Sequence, residues 1–569
     1  MSGPGERAPK VPSKGEPTHS KLPEGDSDAP NKVDLERSLS PGSMTSARSY
    51  MSPARKPGDL GGASSLRPGD RQSRKGAKPS PVAQTTEGSD VVVVPQKSVK
   101  TRVTPVESME GRAAAKGKST ARNALRAQDR QGAPTYLQRI GQRAKQRPKE
   151  RFTNLLSHVK VPLLKEAYLR LKRYAAPGVD DVDWHEYGER DDERLRELQD
   201  RIHRGCYHPL PVRRVHIPKG DGRVRPLGIA ALEDKIVQQA VRMVLEPIYE
   251  AEFVGFSYGF RPRRSAHDAL DALAAAIKRR VDWVLDADIR SFFDSVDHGW
   301  MQRFIEHRIG DKRMVRLLMK WVRAGVMEDG KLHEVEKGTP QGAVISPLLS
   351  NIYLHYVLDL WVNRWRKTQA RGAVYIVRYA DDFVVSLQYE QDALAIRAAL
   401  AERMAEFGLE LHPDKTRVLQ FGRYAQEHRR CHGLGKPETF EFLGFTHIAG
   451  RDRRGDYMLM RRTSRKKRQA SQNRIAAECK RRRHWSLQDQ HRWLCSVLVG
   501  HYRYYGVPTN MRALRQYRQV VLYTWLRWLQ RRSQRLRWNY KQFLAFLKRF
   551  PLPSAQLFHP WPEKRFAAR

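Results

Sequence analysis

Two adjacent carboxylates interrupt an otherwise apolar stretch of this 569-residue sequence. Asp381 and Asp382 follow Tyr379 and Ala380, between the runs 373–377 and 383–385, which predict the two strands of a hairpin. Asp favours turns, so a solvated Asp-Asp pair at a hairpin turn carries little functional weight by itself. A third carboxylate, described next, is stronger evidence that the pair is functional.

Asp288 lies in a strand-like segment, 283–289, that otherwise consists largely of core residues. An unpaired charge there costs several kcal/mol, and clustered carboxylates also repel one another. A divalent cation relieves both penalties. Asp288, Asp381 and Asp382 therefore predict a site for two Mg²⁺ ions, which would activate a 3′-hydroxyl and stabilise a leaving pyrophosphate in an in-line phosphoryl transfer. Asp286 is the rival for the first position.

The segments around these acids predict both helices and strands, which indicates an α+β fold. Ser265 and Asp268 resemble a capping box, and apolar residues follow at helical spacing as far as Ile277. A second amphipathic helix is predicted over 396–407, closed by Gly408. Strands are predicted from runs rich in branched and aromatic residues at 281–289, 373–387 and 440–445.

The charge balance restricts the partners. The chain has 105 Lys and Arg against 62 Asp and Glu, a net charge of +43. The excess positive charges repel one another unless a partner neutralises them, and the usual partner is a polyphosphate backbone. We therefore expect a nucleic-acid partner. Mean hydropathy is −0.68, and no run of 18 apolar residues predicts a membrane span. Four dispersed cysteines and the lack of a secretory segment indicate a cytosolic protein. We expect it in the bacterial cytosol, associated with RNA and the nucleoid.

Composition divides the chain into regions. Residues 1–134 contain one aromatic side chain, Tyr50, and predict a disordered basic tail. The tail is either a solvated linker or a source of loose RNA affinity, and its valine run at 91–94 is a candidate short strand. The segment 461–492 has 12 basic and 2 acidic residues, and Trp-rich helical stretches follow it. This part predicts a separate basic helical module.

Several short motifs occur in a fixed order along the chain. They are KGDGRVRPL at 219–227, FSYGFRP at 256–262, DIRSFFD at 288–294, TPQG at 339–342 with SPLLSN at 346–351, YADD at 379–382, LELHPDKT at 409–416 and FLGF at 442–445. This series resembles that of the group II intron reverse transcriptases, also called intron-encoded maturases, over about residues 150–569. So many ordered matches make coincidence negligible.

The resemblance implies a right-hand polymerase with fingers, a palm built on an antiparallel sheet, and a helical thumb fused to a basic maturase domain. It implies the following regions: an N-terminal extension and fingers over 135–280, the palm and catalytic site over 281–448 within a reverse transcriptase domain at about 198–448, the thumb and maturase domain over 455–550, and a C-terminal tail over 551–569. No Cys/His-rich nuclease module follows Arg535, so we expect no second-strand cleavage.

The resemblance also implies roles for the acidic residues. Asp288, Asp381 and Asp382 would be the catalytic metal ligands, for two Mg²⁺ ions or Mn²⁺ as a substitute. Asp288 is preferred over Asp286 because Phe293 then occupies the position where the family places the side chain that excludes a ribose 2′-hydroxyl. This assignment predicts a preference for dNTPs over NTPs.

Further nucleotide-binding residues follow from the same motifs. Lys219 and Arg225 would grip the triphosphate, although both could be solvated loop charges. Gln341 and Gly342 would form the turn that approaches the incoming nucleotide, although an ordinary turn is the alternative. Lys415 would protonate the leaving pyrophosphate, or else play a structural role.

The basic module predicts an RNA-binding surface, because Arg and Lys contact phosphates and aromatic rings stack on unpaired bases. Its Trp and Leu residues are expected in the helix core. The predicted RNA-binding residues are Arg461, Arg462, Arg465, Lys466, Lys467, Arg468, Arg503, Arg531, Arg532 and Arg535.

Three functions agree with this sequence. The leading one is an RNA-directed DNA polymerase that binds its structured intron RNA, assists splicing and copies the intron into cDNA. Its partners would be the intron, an RNA template with a DNA primer, dNTPs and a DNA target. The alternatives are an RNA-binding splicing factor without polymerase activity, against which the intact acidic residues count, and a domesticated reverse transcriptase with another RNA client.

Overall fold

The computed structural model describes residues 135–218, 224–328, 331–333, 337–338, 342–533 and 538–563. The predicted basic tail, with its valine run, lies outside the described residues, as do Lys219, Gln341 and Arg535. Across the described chain, no helix is long and apolar enough to cross a membrane.

The N-terminal part is mainly helical and packs around one long buried helix. Its helices are α1 Thr135–Gln146, α2 Val161–Arg170, α3 Trp184–Tyr187, α4 Asp191–Arg204 and α5 Leu232–Glu250, with short 3₁₀ turns at Leu156–His158 and Gly188–Arg190. Helix α5 has 0% exposure at Ile236, Val237 and Val244, and α1 and α2 pack on it. Its apolar residues surround the helix because neighbours cover most of its faces.

A small sheet follows α4. Strands β1 Val212–Pro218 and β2 Val224–Ile229 are antiparallel, and β1 also pairs in parallel with β4 Val326–Glu328, which pairs with β5 Lys331–His333. Between β2 and β4 the chain forms α6 Ala266–Ile277, β3 Trp283–Ala287, α7 Phe292–Ser295, α8 His298–Arg308 and α9 Lys312–Val322. The predicted capping box is confirmed: Ser265 and Asp268 bond reciprocally at the start of α6.

The central sheet is antiparallel and has the strand order β6-β7-β3-β8. It comprises β3, β6 Val374–Tyr379, β7 Asp382–Leu387 and β8 Arg417–Gln420. Helix α10 Ser346–Leu354, a π-helical turn at His355–Asp359 and α11 Leu360–Thr368 precede β6, and α12 Glu390–Glu406 follows β7. The predicted hairpin and the helix ending at Gly408, whose φ is +71°, are both confirmed.

The prediction of one strand over 440–445 is wrong, because the chain reverses inside it. Strand β9 Phe440–Phe442 is joined to β10 Phe445–Arg451 by a turn at Leu443 and Gly444, both with positive φ. Strand β10 then pairs with β11 Tyr457–Thr463. The predicted palm and thumb boundaries, 448 and 455, thus both fall within this β10–β11 hairpin. The short helix α13 Ala425–Cys431 precedes β9.

The C-terminal module is helical, as the sequence predicts. It contains α14 Arg465–Arg481, α15 Leu487–Tyr505, α16 Met511–Gln530 and α17 Tyr540–Arg549. Leu494, Leu498, Leu514 and Trp525 are at most 1% exposed and form its separate core. These four residues therefore serve packing as expected, whereas Trp485, Leu544 and Trp561 are exposed. Overall the described chain is α+β, with small and mainly antiparallel sheets.

Candidate active site

The turn between β6 and β7 presents Asp381 and Asp382. Tyr379 pairs with Asp382 across the hairpin, so that Ala380 and Asp381 form a two-residue loop. Ala380 has φ +59°, a left-handed conformation that costs a non-glycine residue about 1 kcal/mol. Such a conformation persists only where the surrounding structure holds it, which marks this turn as a constrained part of the molecule.

Strand pairing brings Asp288 to the same edge of the sheet. Ala287 of β3 pairs with Phe383 of β7, so the next residue, Asp288, leaves the sheet beside Asp382. The backbone carbonyl of Asp288 accepts a hydrogen bond from the His412 amide at 2.8 Å. Residues far apart in sequence thus meet at the ends of β3 and β7 because the antiparallel register aligns those ends.

The carboxylates act on one another electrostatically. The pKa of Asp382 is raised to about 7. The largest cause is the protein that surrounds the carboxyl, and the negative charges of Asp381 and Asp288 come next. The residue is nevertheless partly open to solvent. Lys415 forms an ion pair with Asp288. Burial raises the pKa of Asp286 to about 6, partly opposed by Arg417, whose nitrogen lies 3.7 Å from the carboxylate.

These residues suit a hard divalent cation. The donors are carboxylate oxygens, and a cation would offset both the burial and the neighbouring negative charges that raise the pKa of Asp382. Within the described residues, no group of three or more His, Cys, Asp or Glu side chains is arranged to hold a metal ion. That finding is compatible with Mg²⁺, which commonly takes one or two carboxylates and completes its shell with water and substrate phosphates.

A cleft of about 970 Å³ opens over the acidic edge. Its acidic lining residues are Asp286, Asp288, Asp382, Asp414 and Glu441, and its basic ones are Lys415, Arg417, Lys466 and Lys467. The two lysines at 466 and 467 belong to α14, so the C-terminal module supplies one wall of the cleft. Tyr504 and Tyr505 of α15 complete that wall. The cleft therefore combines an acidic edge with cations and aromatic rings, as binding of a polyphosphate chain beside metal ions requires.

The predicted nucleotide-binding residues are only partly described. Arg225 lies in β2 opposite Ile217 of β1. Gly342 has φ +113°, and a Cβ there would lie 2.7 Å from the Gly228 carbonyl oxygen, so this position requires glycine. Phe293, in α7, is half-buried. Nucleotide binding by these residues stays a prediction, as it does for Lys415.

The structure places Arg461 in the interior, which counts against its predicted role in RNA binding. Its Nη1 donates to Asp271 Oδ1 at 2.7 Å, and both side chains are only 4% exposed. Removing one partner of such a buried ion pair costs about 3–5 kcal/mol, so the guanidinium stays with its carboxylate.

The remaining predicted RNA contacts lie at or near the surface. Arg462, Arg465, Lys466, Lys467, Arg503 and Arg531 are exposed, and Arg468 and Arg532 are half-buried. Arg468 donates to Gln516 at 3.2 Å, and Arg531 lies over the Trp528 ring at 5.2 Å. RNA binding by this group stays a prediction.

Two buried charges beside the turn were not identified from the sequence as functional. Arg378 and Asp359 are both fully buried and form an ion pair. The available signal was a charged residue inside the apolar strand that leads into the turn, the same signal that singled out Asp288. Glu441, which lines the cleft, was also missed.

The raised pKa of Asp382 predicts a pH-dependent stability. The Asp382 carboxyl has a pKa of about 7 in the folded protein and about 3.9 in the unfolded chain, so the folded state holds the proton more tightly. The stability that this difference contributes is fully present below the unfolded-state pKa and is lost as pH rises through about 7. In EDTA, Asp382→Asn should therefore unfold at a higher temperature than the wild type, with a gap that widens by about 2 °C between pH 5 and pH 8.

Thermal unfolding at several pH values measures this gap. Glu402→Gln, on the exposed face of α12, is the control and should give a constant difference from the wild type. A gap for Asp382→Asn that does not change with pH would contradict the prediction.

Comparisons with known proteins agree with the motif series. The model of the reverse transcriptase (RNA-dependent DNA polymerase) family matches residues 217–447. Protein YkfC of Escherichia coli (strain K12) is 36% identical over 344 residues, which cover 54% of this chain and 86% of YkfC.

Two further relatives have names that refer to introns. The group II intron-encoded protein LtrA of Lactococcus lactis subsp. cremoris is 37% identical over 247 residues, 41% of this chain and 40% of LtrA. Nuclear intron maturase 2, mitochondrial, of Arabidopsis thaliana is 26% identical over 232 residues, 34% of this chain and 30% of that protein. The chain thus matches less than half the length of each of these two relatives.

Proposed function

This chain belongs to the group II intron-encoded reverse transcriptases and maturases, which are RNA-directed DNA polymerases, and we propose that it binds its intron RNA, assists splicing and copies the intron into cDNA. The observation that carries the catalytic part of the proposal is the arrangement of carboxylates. Asp288 and Asp382 line one edge of a cleft with basic and aromatic walls, and Asp381 precedes Asp382 in the constrained turn.

Reverse transcriptases use divalent metal ions such as Mg²⁺. We propose Asp288, Asp381 and Asp382 as the ligands of two Mg²⁺ ions, with Mn²⁺ as a substitute. Bound there, the ions would activate the primer 3′-hydroxyl and stabilise the leaving pyrophosphate. Asp288 leaves the sheet beside Asp382, whereas Asp286 lies within β3 opposite Val384, which supports Asp288 rather than Asp286 as the ligand.

The chain's own residues would orient the nucleotide and move its protons. Lys219, Arg225, Gln341 and Gly342 would hold the triphosphate and the base pair. Phe293 would exclude the 2′-hydroxyl of an NTP. Lys415 lines the cleft and its ammonium group pairs with Asp288, and in this proposal it would protonate the pyrophosphate as it leaves.

The nucleic acid would lie in the cleft between the central sheet and the C-terminal helices. In this proposal the central sheet is the palm, the β1–β2 region the fingers and the helices α14–α17 the thumb and maturase domain. Lys466 and Lys467 would contact the template–primer backbone from the cleft wall. The outer Arg and Lys side chains would bind structured intron RNA, and a DNA target would supply the primer, in the bacterial cytosol.

Primer extension tests the proposal. Full-length protein is incubated with an RNA template annealed to a DNA primer and with dNTPs or NTPs in separate reactions, in Mg²⁺, Mn²⁺ or EDTA. We expect extension with dNTPs in either metal and none in EDTA. No extension in any divalent ion, together with tight binding of intron RNA, would favour an RNA-binding splicing factor, and extension without preference for any intron RNA would favour a domesticated enzyme.

A further inference from the structure

Arg378 is the penultimate residue of β6 and lies directly before the turn that carries the acidic pair. Its side chain is fully buried. Nε donates to Asp359 Oδ1 at 2.7 Å, and Nη2 donates to Asp359 Oδ2 at 2.6 Å. This is a bidentate pair, the strongest geometry that a guanidinium and a carboxylate form.

The remaining donor of the guanidinium reaches the turn itself. Nη1 of Arg378 donates to the Ala380 carbonyl oxygen at 2.9 Å and to Asn351 Oδ1 at 3.0 Å. Asn351 in turn donates through Nδ2 to the Gly259 carbonyl oxygen at 2.8 Å. One buried side chain thus connects the hairpin turn, helix α10, the π-helical turn at His355–Asp359 and the segment around Gly259.

The segment around Gly259 lies directly against the turn. A Cβ at Gly259 would be 2.3 Å from the Ala380 nitrogen, so only glycine allows the two backbones to approach this closely. The Arg378 amide donates to the Phe256 carbonyl oxygen, and the Tyr258 amide donates to the Arg378 carbonyl oxygen, both at 2.9 Å. The turn is therefore supported by backbone contacts on one side and by the Arg378 guanidinium beneath.

We propose that Arg378 is a positioning residue for the catalytic carboxylates. By bonding the Ala380 carbonyl while anchored to Asp359 and Asn351, it fixes the left-handed turn and so the direction in which Asp381 and Asp382 point. Because Arg378 is not among the residues that line the cleft, it would touch neither the metal ions nor the nucleotide. The inference rests on the proposed function in one respect, that these carboxylates bind the divalent ions.

The geometry requires arginine rather than a cation in general. Lysine offers a single ammonium group and cannot bond both oxygens of Asp359, the Ala380 carbonyl and Asn351 in these directions. Arg378→Lys therefore retains the buried charge and loses the support of the turn. Residues that hold metal ligands from behind typically change metal affinity or activity 10–100-fold when they are replaced.

The chain offers a matched control. Arg308 is also fully buried, forms an ion pair with Glu252 and donates to the Glu150 carbonyl oxygen at 2.8 Å, and its backbone acceptors lie at 147–150 rather than in the hairpin turn. Arg308→Lys should thus lower stability as Arg378→Lys does, without reaching the catalytic turn.

The experiment measures Mn²⁺ binding to the full-length protein by electron paramagnetic resonance, together with thermal unfolding and primer extension. For Arg378→Lys we expect about tenfold weaker Mn²⁺ binding and at least about tenfold lower kcat, with KM for template–primer within about twofold of wild type. Arg308→Lys should retain the Mn²⁺ affinity. Asp381→Asn identifies the signal from this site by removing it.

Unchanged Mn²⁺ affinity in folded Arg378→Lys, or an equal loss in Arg308→Lys, would overturn the proposal. If Arg378→Lys does not fold, Asn351→Ala replaces it, because that change removes one link to the guanidinium and leaves the ion pair intact. The same decrease in Mn²⁺ affinity is expected. Metal binding can be measured without polymerisation. If the wild-type protein binds Mn²⁺ but extends no primer, the proposed function is refuted, and the Mn²⁺ affinities of the Arg378→Lys and Arg308→Lys variants still decide the role of Arg378.

Discussion

Replacing Asp381 with Ala should reduce DNA synthesis by at least about 1,000-fold, equivalent to about 4 kcal/mol of transition-state stabilisation. The reason is the loss of a carboxylate from the proposed metal site, where the reaction develops charge on the attacking and leaving oxygens. Single-turnover primer extension on an RNA template measures the effect. Affinity for the template–primer duplex should change little, because Lys466, Lys467 and the outer arginines remain in place.

Two variants separate chemistry from folding. Asp381→Asn keeps the size of the side chain and should lose activity to nearly the same extent. Glu402→Ala, on the exposed face of α12, should retain it. If Asp381→Ala loses both duplex binding and DNA synthesis, the carboxylate is structural and the metal-site assignment fails.

Replacing Phe293 with Ala should lower the preference for dNTPs over NTPs by about 100-fold, or about 2.7 kcal/mol. The side chain is half-buried, and its ring lies edge-on to the buried Phe292 ring with 5.4 Å between centroids. A ring held in this way is a rigid barrier to a 2′-hydroxyl, whereas a methyl group leaves space for it. The measurement is kcat/KM for dGTP and GTP on one template–primer.

Phe293→Tyr is the matched control, because it retains the ring and should retain the preference for dNTPs. In Phe293→Ala, kcat/KM for dGTP should fall much less than the ratio of kcat/KM for dGTP to kcat/KM for GTP. A variant that loses dNTP and NTP incorporation in equal proportion would contradict the assignment of Phe293 as the residue that excludes the 2′-hydroxyl.

Local patterns in the sequence determined much of the fold around the site. The apolar runs on either side of Asp381 and Asp382 form the β6–β7 hairpin, and the capping box at Ser265 starts α6. These features depend on residues a few positions apart, whose side-chain and backbone preferences act in the same direction. The same local signal singled out Asp288, since a charge in an apolar run of sequence is visible without knowledge of its partners, although β3 ends one residue earlier, at Ala287.

Tertiary structure decided which charged side chains lie at the surface and which are buried inside the protein. Arg461 belongs to a basic run, yet it is buried against Asp271, which lies 190 positions earlier in the chain. Arg378 binds Asp359, and the segment 440–445 reverses direction instead of continuing as one strand. A composition pattern shows that a cation is present, but its effect depends on the solvent exposure and the partner that only the folded chain provides.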